Sequence, residues 1–281
     1  MIWIIGDAME DKEIHFTKTQ TDPHSATVPV LRCCPPEKRY PGGAALVEAQ
    51  VRALTEDCNV DTVFAVPSVK IRHYVDGEYF ARVDYDVSPG RDSVLIDELV
   101  AQMRAMARRT PPRVIVISDY GKGVVCQPIW DEVVDIAASC RAKVIVDPAP
   151  GKLGNPDAYG GAWGLIPSER ELPRSWQDPL TRLCVKRGVN GCTVRRSAVS
   201  PWIPLASHCE SQYVVNEIGA GDVFVAGVAV ALDEGRGWLE ACRFGNYLAG
   251  LRCRLPRGEV VTPAMLRRFS RETIQQDNTP R

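Results

Sequence analysis

Val215-Asn216-Glu217-Ile218-Gly219-Ala220-Gly221-Asp222-Val223-Phe224 is the stretch on which the reading of this chain turns. Tyr213-Val214-Val215 leads in as an extended apolar piece, and Val223 to Leu232 leads out as a helical run of small apolar residues. Two glycines around an alanine let the backbone turn sharply and approach a ligand closely. At a helix start the free N–H groups point outward, and the helix dipole favours an anion there. Asp222 falls in the first turn, where it suits the dipole and is expected to cap the helix. The same carboxylate can take a proton from a hydroxyl beside the bound anion. An anion cradle next to a base is what phosphoryl transfer to an alcohol needs. A glycine-rich turn with an aspartate cap explains the same four residues without chemistry, so the rest of the chain has to decide.

The chain has 281 residues, enough for one large α/β domain or two smaller ones. Its 45% hydrophobic and 25% charged content is ordinary for a globular protein. A formal net charge of −1 gives no reason to propose nucleic acid or an acidic membrane as partner. No apolar run approaches the ~20 residues that span a bilayer. Met1-Ile2-Trp3-Ile4-Ile5 is too short for a signal-peptide core and reads as a buried first strand, so the expected location is the cytoplasm. The ten cysteines are scattered, with no C-x-x-C and no zinc-like spacing, and are expected to be buried free thiols. Cys33-Cys34 are adjacent and would bridge poorly. The chain lacks G-x-x-x-x-G-K-[ST], which argues against a P-loop kinase.

In chain order, residues 2–5 form the first strand, with Gly6-Asp7 at its C-terminal end, where parallel α/β sheets bind ligands. Residues 12–35 alternate polar and apolar around prolines and suggest one or two short exposed strands of a side sheet. Pro41-Gly42-Gly43-Ala44-Ala45 opens a helix ending near Thr55. Residues 70–75 and 79–84 flank Asp76-Gly77, a strong hairpin signal, and Lys70, Arg72 and Tyr74 share one face of it. That face, with Arg82, could pair with a phosphate or could be a solvated strand face. A helix is expected over 92–109, then a central strand at 114–117 followed by Ser118-Asp119-Tyr120-Gly121-Lys122-Gly123, a ligand-loop candidate carrying Asp119 and Lys122. A helix over 128–140 and a strand at 144–146 complete a βαβ unit ending in Asp147-Pro148. Strands are expected at 163–166 and 183–185, short antiparallel strands at 192–194 and 202–203, a helix over 238–251, and disorder over 273–281.

In this order, Gly6-Asp7, Pro41-Gly42-Gly43-Ala44-Ala45, Ser118 to Gly123, Asp147-Pro148 and Gly219-Ala220-Gly221-Asp222 resemble the ribokinase-like (PfkB-type) carbohydrate kinases. The chain is most similar there to the kinase domain acting on heptose 7-phosphate in ADP-heptose synthesis, over about residues 2–270. The resemblance implies a Rossmann-like α/β three-layer sandwich in a single domain, residues 1–272, with a small β lid from about 12–35 and 70–84. It implies ATP and Mg²⁺, and a homodimer formed through the lid. Asp222 would be the base, and Gly219, Ala220 and Gly221 would cradle the transferring phosphoryl group. Asp7, Gly42 and Gly43 would hold the sugar, Glu171 would organise Mg²⁺, and Ser168, Lys186, Gly188, Gly191 and Asn246 would follow the nucleotide.

The chain departs from the family pattern in four places. Leu46 stands where such members carry an asparagine, Ile218 and Asn216 precede G-A-G-D, Ser168 replaces the asparagine of N-x-x-E, and Val66 passes almost directly to Lys70. The expected function is a sugar or sugar-phosphate kinase. A degenerate ribokinase-like binding protein and a nucleoside kinase of the same superfamily are the alternatives.

Overall fold

The computed structural model describes residues 1–22, 24, 27–55, 60–155, 158–172, 182–197 and 199–267; Cys58 and the tail 273–281 lie outside them. An eight-stranded sheet forms the body. Its parallel part comprises β1 (Ile2–Gly6), β4 (Val60–Phe64), β7 (Val114–Ser118), β8 (Lys143–Asp147), β9 (Gly164–Leu165) and β10 (Arg182–Lys186). Two antiparallel strands, β11 (Cys192–Arg195) and β12 (Ile203–Leu205), complete one edge.

The apolar runs of β1 and β7 are buried on both faces, and side-chain alternation divides them between two cores. Ile2, Ile4, Val114 and Val116 pack on one face with α1 (Ala44–Leu54), α4 (Ala220–Asp233) and α5 (Trp238–Cys253). Trp3, Ile5, Ile115 and Ile117 pack on the other with α2 (Ser93–Arg109) and α3 (Gln127–Cys140). The result is three layers, helices on both faces of one sheet. Asp92 caps α2 by accepting from the amides of Val94 and Leu95.

A second, four-stranded sheet has the order β3-β2-β5-β6, where β2 is Ala8–Thr21, β3 Pro29–Gly43, β5 Ser68–Val75 and β6 Glu78–Tyr85. The expected hairpin is present, with Asp76 and Gly77 both at positive φ. Its other strands are longer than the prolines suggest. β2 leaves the body one residue after β1, and β3 runs straight into α1. β3 is an edge strand, where missing N–H groups cost no ladder bond, so Pro29, Pro35, Pro36 and Pro41 are tolerated.

Two expectations need correction. The extended apolar piece Tyr213-Val214-Val215 joins no sheet: Tyr213 ends a 3-10 turn, Ser211–Tyr213, and all three residues are exposed. Nor does Asp222 cap α4; the cap is Gly219 at φ 83, and no side-chain bond closes that terminus.

Candidate active site

Asp222 sits in the first turn of α4, 5% exposed, and accepts a 2.6 Å hydrogen bond from the Tyr120 hydroxyl. Burial is the main force raising its pKa, to about 7; Tyr120, Lys186 and Lys70 pull it down, while Asp147 pushes it up. A carboxylate so poised is suited to exchanging a proton near neutral pH. Gly219 is required by its φ and by space, because a Cβ there would lie 2.4 Å from Leu46 Cδ2. The first turn of α4 leaves the amides of Gly221 and Asp222 without intrahelical acceptors. The Ala220 N–H is already used, donating to Glu217 O at 3.1 Å.

A cavity of about 130 Å³ opens beside Asp222. Gly42 and Gly43 of the double-glycine motif, Lys70 and Arg72 of the hairpin, and Leu46 at the asparagine place line it. Asp11, Tyr40, Tyr120, Arg252 and Arg257 also line it. None of these five was singled out as a sugar contact from the sequence. Asp11 was legible in principle, because period two from Met9 carries it onto the cavity face of β2. Arg252 and Arg257 carried no local signal.

Three predicted substrate residues are placed elsewhere. The buried Asp7 carboxylate accepts the amides of Tyr120, Lys122 and Val124 at 2.9, 2.9 and 3.0 Å, so it shapes the 119–124 loop. Asp119 is buried and accepts from Gly121 N, Lys152 Nζ and the Tyr159 hydroxyl. Lys122 pairs with Asp86 at 2.5 Å. None of the three lines the cavity.

Outside the cavity lining, Lys186 Nζ lies 2.5 Å from Asp147 Oδ1. Burial lowers the Lys186 pKa, but attraction to Asp147, then Glu171 and Asp222, more than offsets it and keeps the ammonium charged. Lys186 Nζ also approaches Gly221, 3.6 Å from where a Cβ would stand. Glu171 accepts the Ser168 amide at 2.7 Å, and its field reaches Asp147 and Tyr120. Among the described residues no group of three or more His, Cys, Asp or Glu side chains is placed to hold a metal ion. Asp147 and Glu171 are two carboxylates in one neighbourhood, which fits Mg²⁺, an ion commonly bound by one or two carboxylates plus substrate phosphates.

Gly188 and Gly191 form the turn between β10 and β11 at positive φ. Gly191 packs against Leu205–Ser207, where a Cβ would meet Leu205 O at 2.1 Å. Those residues wall a groove of about 920 Å³ that Phe244 and Tyr247 of α5 complete. Asn246 donates to Ala206 O at 2.6 Å and fixes that wall.

The family model for pfkB family carbohydrate kinases matches residues 106–260, more than half of the chain. Bifunctional protein HldE of Psychromonas ingrahamii is 26% identical over 295 residues, covering 89% of this chain and 59% of the relative. The HldE of Rhodospirillum rubrum is 26% identical over 291 residues, covering 88% and 57%. This chain therefore spans under two thirds of the length of these curated relatives. Thermotoga maritima ribokinase superposes with a TM-score of 0.69 at 15% identity, covering 96% of this chain and 99% of that one. Escherichia coli phosphofructokinase-2 gives 0.66 at 16% identity, covering 97% and 99%. These structures establish the ribokinase-like fold.

Proposed function

The chain belongs to the pfkB family of carbohydrate kinases, and from that premise we propose that it transfers the terminal phosphoryl group of ATP to a sugar phosphate, with a heptose 7-phosphate-like acceptor phosphorylated at C1. One observation carries the reading: Asp222, poised near neutrality at the start of α4, lines the cavity and lies within the field of the Asp147–Lys186 pair. The acceptor hydroxyl gives its proton to Asp222 as its oxygen attacks the terminal phosphorus. The bond to the bridging oxygen breaks and ADP leaves. The Gly221 and Asp222 amides and Lys186 stabilise the charge that develops on the phosphoryl oxygens.

Asp147 and Glu171 would hold Mg²⁺, which supplies charge neutralisation on the phosphates when bound. The β10–β11 turn and the groove beside Asn246 would carry the nucleoside. Tyr79, Phe80, Val83 and Tyr85 of the edge strand β6 are exposed, and that edge is where a second copy would pair through the four-stranded sheet. Sedimentation velocity tests that pairing: a monomer at micromolar concentration rejects it. No helix among the described residues is long and apolar enough to cross a membrane.

The deciding experiment measures ADP release from Mg-ATP across sugars and sugar phosphates, with wild type beside Asp222→Asn. Turnover with a sugar phosphate that disappears in the variant supports the reading. Folded protein that neither turns over nor gains thermal stability from nucleotide sinks it.

A further inference from the structure

The cavity beside Asp222 carries more positive charge than its own carboxylates balance. Lys70, Arg72, Arg252 and Arg257 line it against Asp11 and Asp222. Arg252, in the last turn of α5, is 2% exposed. Its Nη1 donates to Leu255 O at 3.0 Å, its Nε has no hydrogen-bond partner, and among the described residues no carboxylate forms an ion pair with it. Burial first, and then repulsion from Arg257, lower its pKa. Glu259 and Asp222 attract it from beyond ion-pair distance, and an enclosed guanidinium without a direct ion-pair partner is costly unless an anion arrives to complete it.

Arg257 is held at the same mouth. Its Nη1 meets the Glu13 carboxylate, and the Tyr40 ring lies 5.1 Å from its guanidinium carbon. Its Nη2 stands 3.2 Å from Asp11 Oδ2 yet makes no hydrogen bond. Arg72 completes the group at 2.5 Å from Asp11 Oδ1. Asp11 thus holds two arginines in place, and each planar guanidinium still has donors to give. The expected third basic residue, Arg82, is spent elsewhere: it pairs with Asp84 at 2.9 Å on an exposed face.

We propose that Arg252 and Arg257, supported by Arg72, form an anion receptor at the acceptor end of the cavity that takes the phosphate already present on a phosphorylated sugar. The receptor faces the second substrate and not the nucleotide. Its walls include β2, β3, β5 and the end of α5, whereas Asp147 and Lys186 do not line it. It deepens the kinase reading and rests on it only for the use made of the bound sugar.

Binding is measured by calorimetry, independently of turnover, with wild type, Arg252→Met, Arg252→Lys and Arg257→Gln. The probes are ribose 5-phosphate, fructose 6-phosphate and heptose 7-phosphate, each against its unphosphorylated parent, with ADP titrated separately. The expected result is at least one sugar phosphate bound about tenfold or more tighter than its parent by wild type, the order of one charge-assisted contact. Arg252→Met and Arg257→Gln abolish that preference while ADP affinity stays within about twofold, and Arg252→Lys keeps part of it. Arg252→Lys also guards against loss of folding in the other two. A wild type with no preference for any phosphorylated probe, or a preference that survives both variants, overturns the receptor. Failure of the kinase reading is distinct: the preference and its loss in the variants would persist, with no ADP released by wild type.

Discussion

The two flanks of Asp222 are both buried ion clusters, and they carry opposite balances. On the donor flank Lys186 sits among Asp147, Glu171 and Asp222. On the acceptor flank Lys70, Arg72, Arg252 and Arg257 outnumber Asp11, Asp222 and the Glu13 that pairs with Arg257. An acid-rich pocket attracts a divalent ion with its phosphates, and an arginine-rich pocket attracts a phosphate alone. Under the proposed transfer to a sugar phosphate, each anionic substrate would find its complement on its own side.

Replacing Asp222 gives the largest effect and tests whether it divides the flanks. Asp222→Asn should lower kcat about 10²–10⁴-fold, measured as ADP release, with little change in nucleotide affinity. Equal losses in kcat and nucleotide binding would instead make Asp222 part of the donor flank.

Removing one member of the donor pair comes next. Asp147→Ala removes the ion-pair partner of buried Lys186 and leaves only the more distant pull of Glu171 and Asp222, so urea unfolding should show a loss of about 2–4 kcal/mol. An unchanged midpoint would mean the donor cluster is wetter than its geometry indicates.

Asp222 also links activity to stability. Its pKa rises from 3.8 unfolded to about 7 folded, so the protonated form is the one the fold favours. The stability it contributes is full below about pH 4 and is lost as pH rises through about 7. At pH 8 Asp222→Asn should therefore be more stable than wild type by about 2–4 kcal/mol while inactive. The wild-type kcat should fall below pH 7 with one proton taken up. A variant less stable than wild type at pH 8 would contradict the raised pKa.

Much of this was legible because it is local. Gly219 to Asp222 showed a turn, a helix start and an acid in four consecutive residues, and Asp76-Gly77 announced its hairpin. The continuous apolar run Ile2 to Ile5 gave a buried first strand, although not which neighbour covers each face. What failed was the use of each acid. Asp7 and Asp119 stand at strand ends as a ligand contact would, but amides and hydroxyls from other segments consume their oxygens. Their partners are chosen by the folded loop. Arg252 and Arg257 escaped notice because their significance lies in β2 and β3, at the other end of the chain.

Two smaller tests address the wall between the flanks. Gly219→Ala must accept φ 83 and displace Leu46, so a loss of about 1–3 kcal/mol in thermal or urea unfolding is expected. Tyr120→Phe removes the donor to Asp222, which should move the acid limb of the kcat profile upward by about one pH unit or less. An unmoved limb would show that Tyr120 only fills space.

The contact at Gly258 has a mechanical consequence. This glycine, at φ 85, lies so close to Tyr40 of β3 that a Cβ would meet its ring at 2.3 Å, while neighbouring Arg257 grips Glu13 of β2. The loop after α5 is therefore a buckle fastening the four-stranded sheet to the body. The sheet cannot swing away without unfastening Arg257, which the acceptor's anion would also hold. Occupancy of the cavity and slow hydrogen exchange in β2 and β3 should then rise together, so that the molecule registers its second substrate as stiffness.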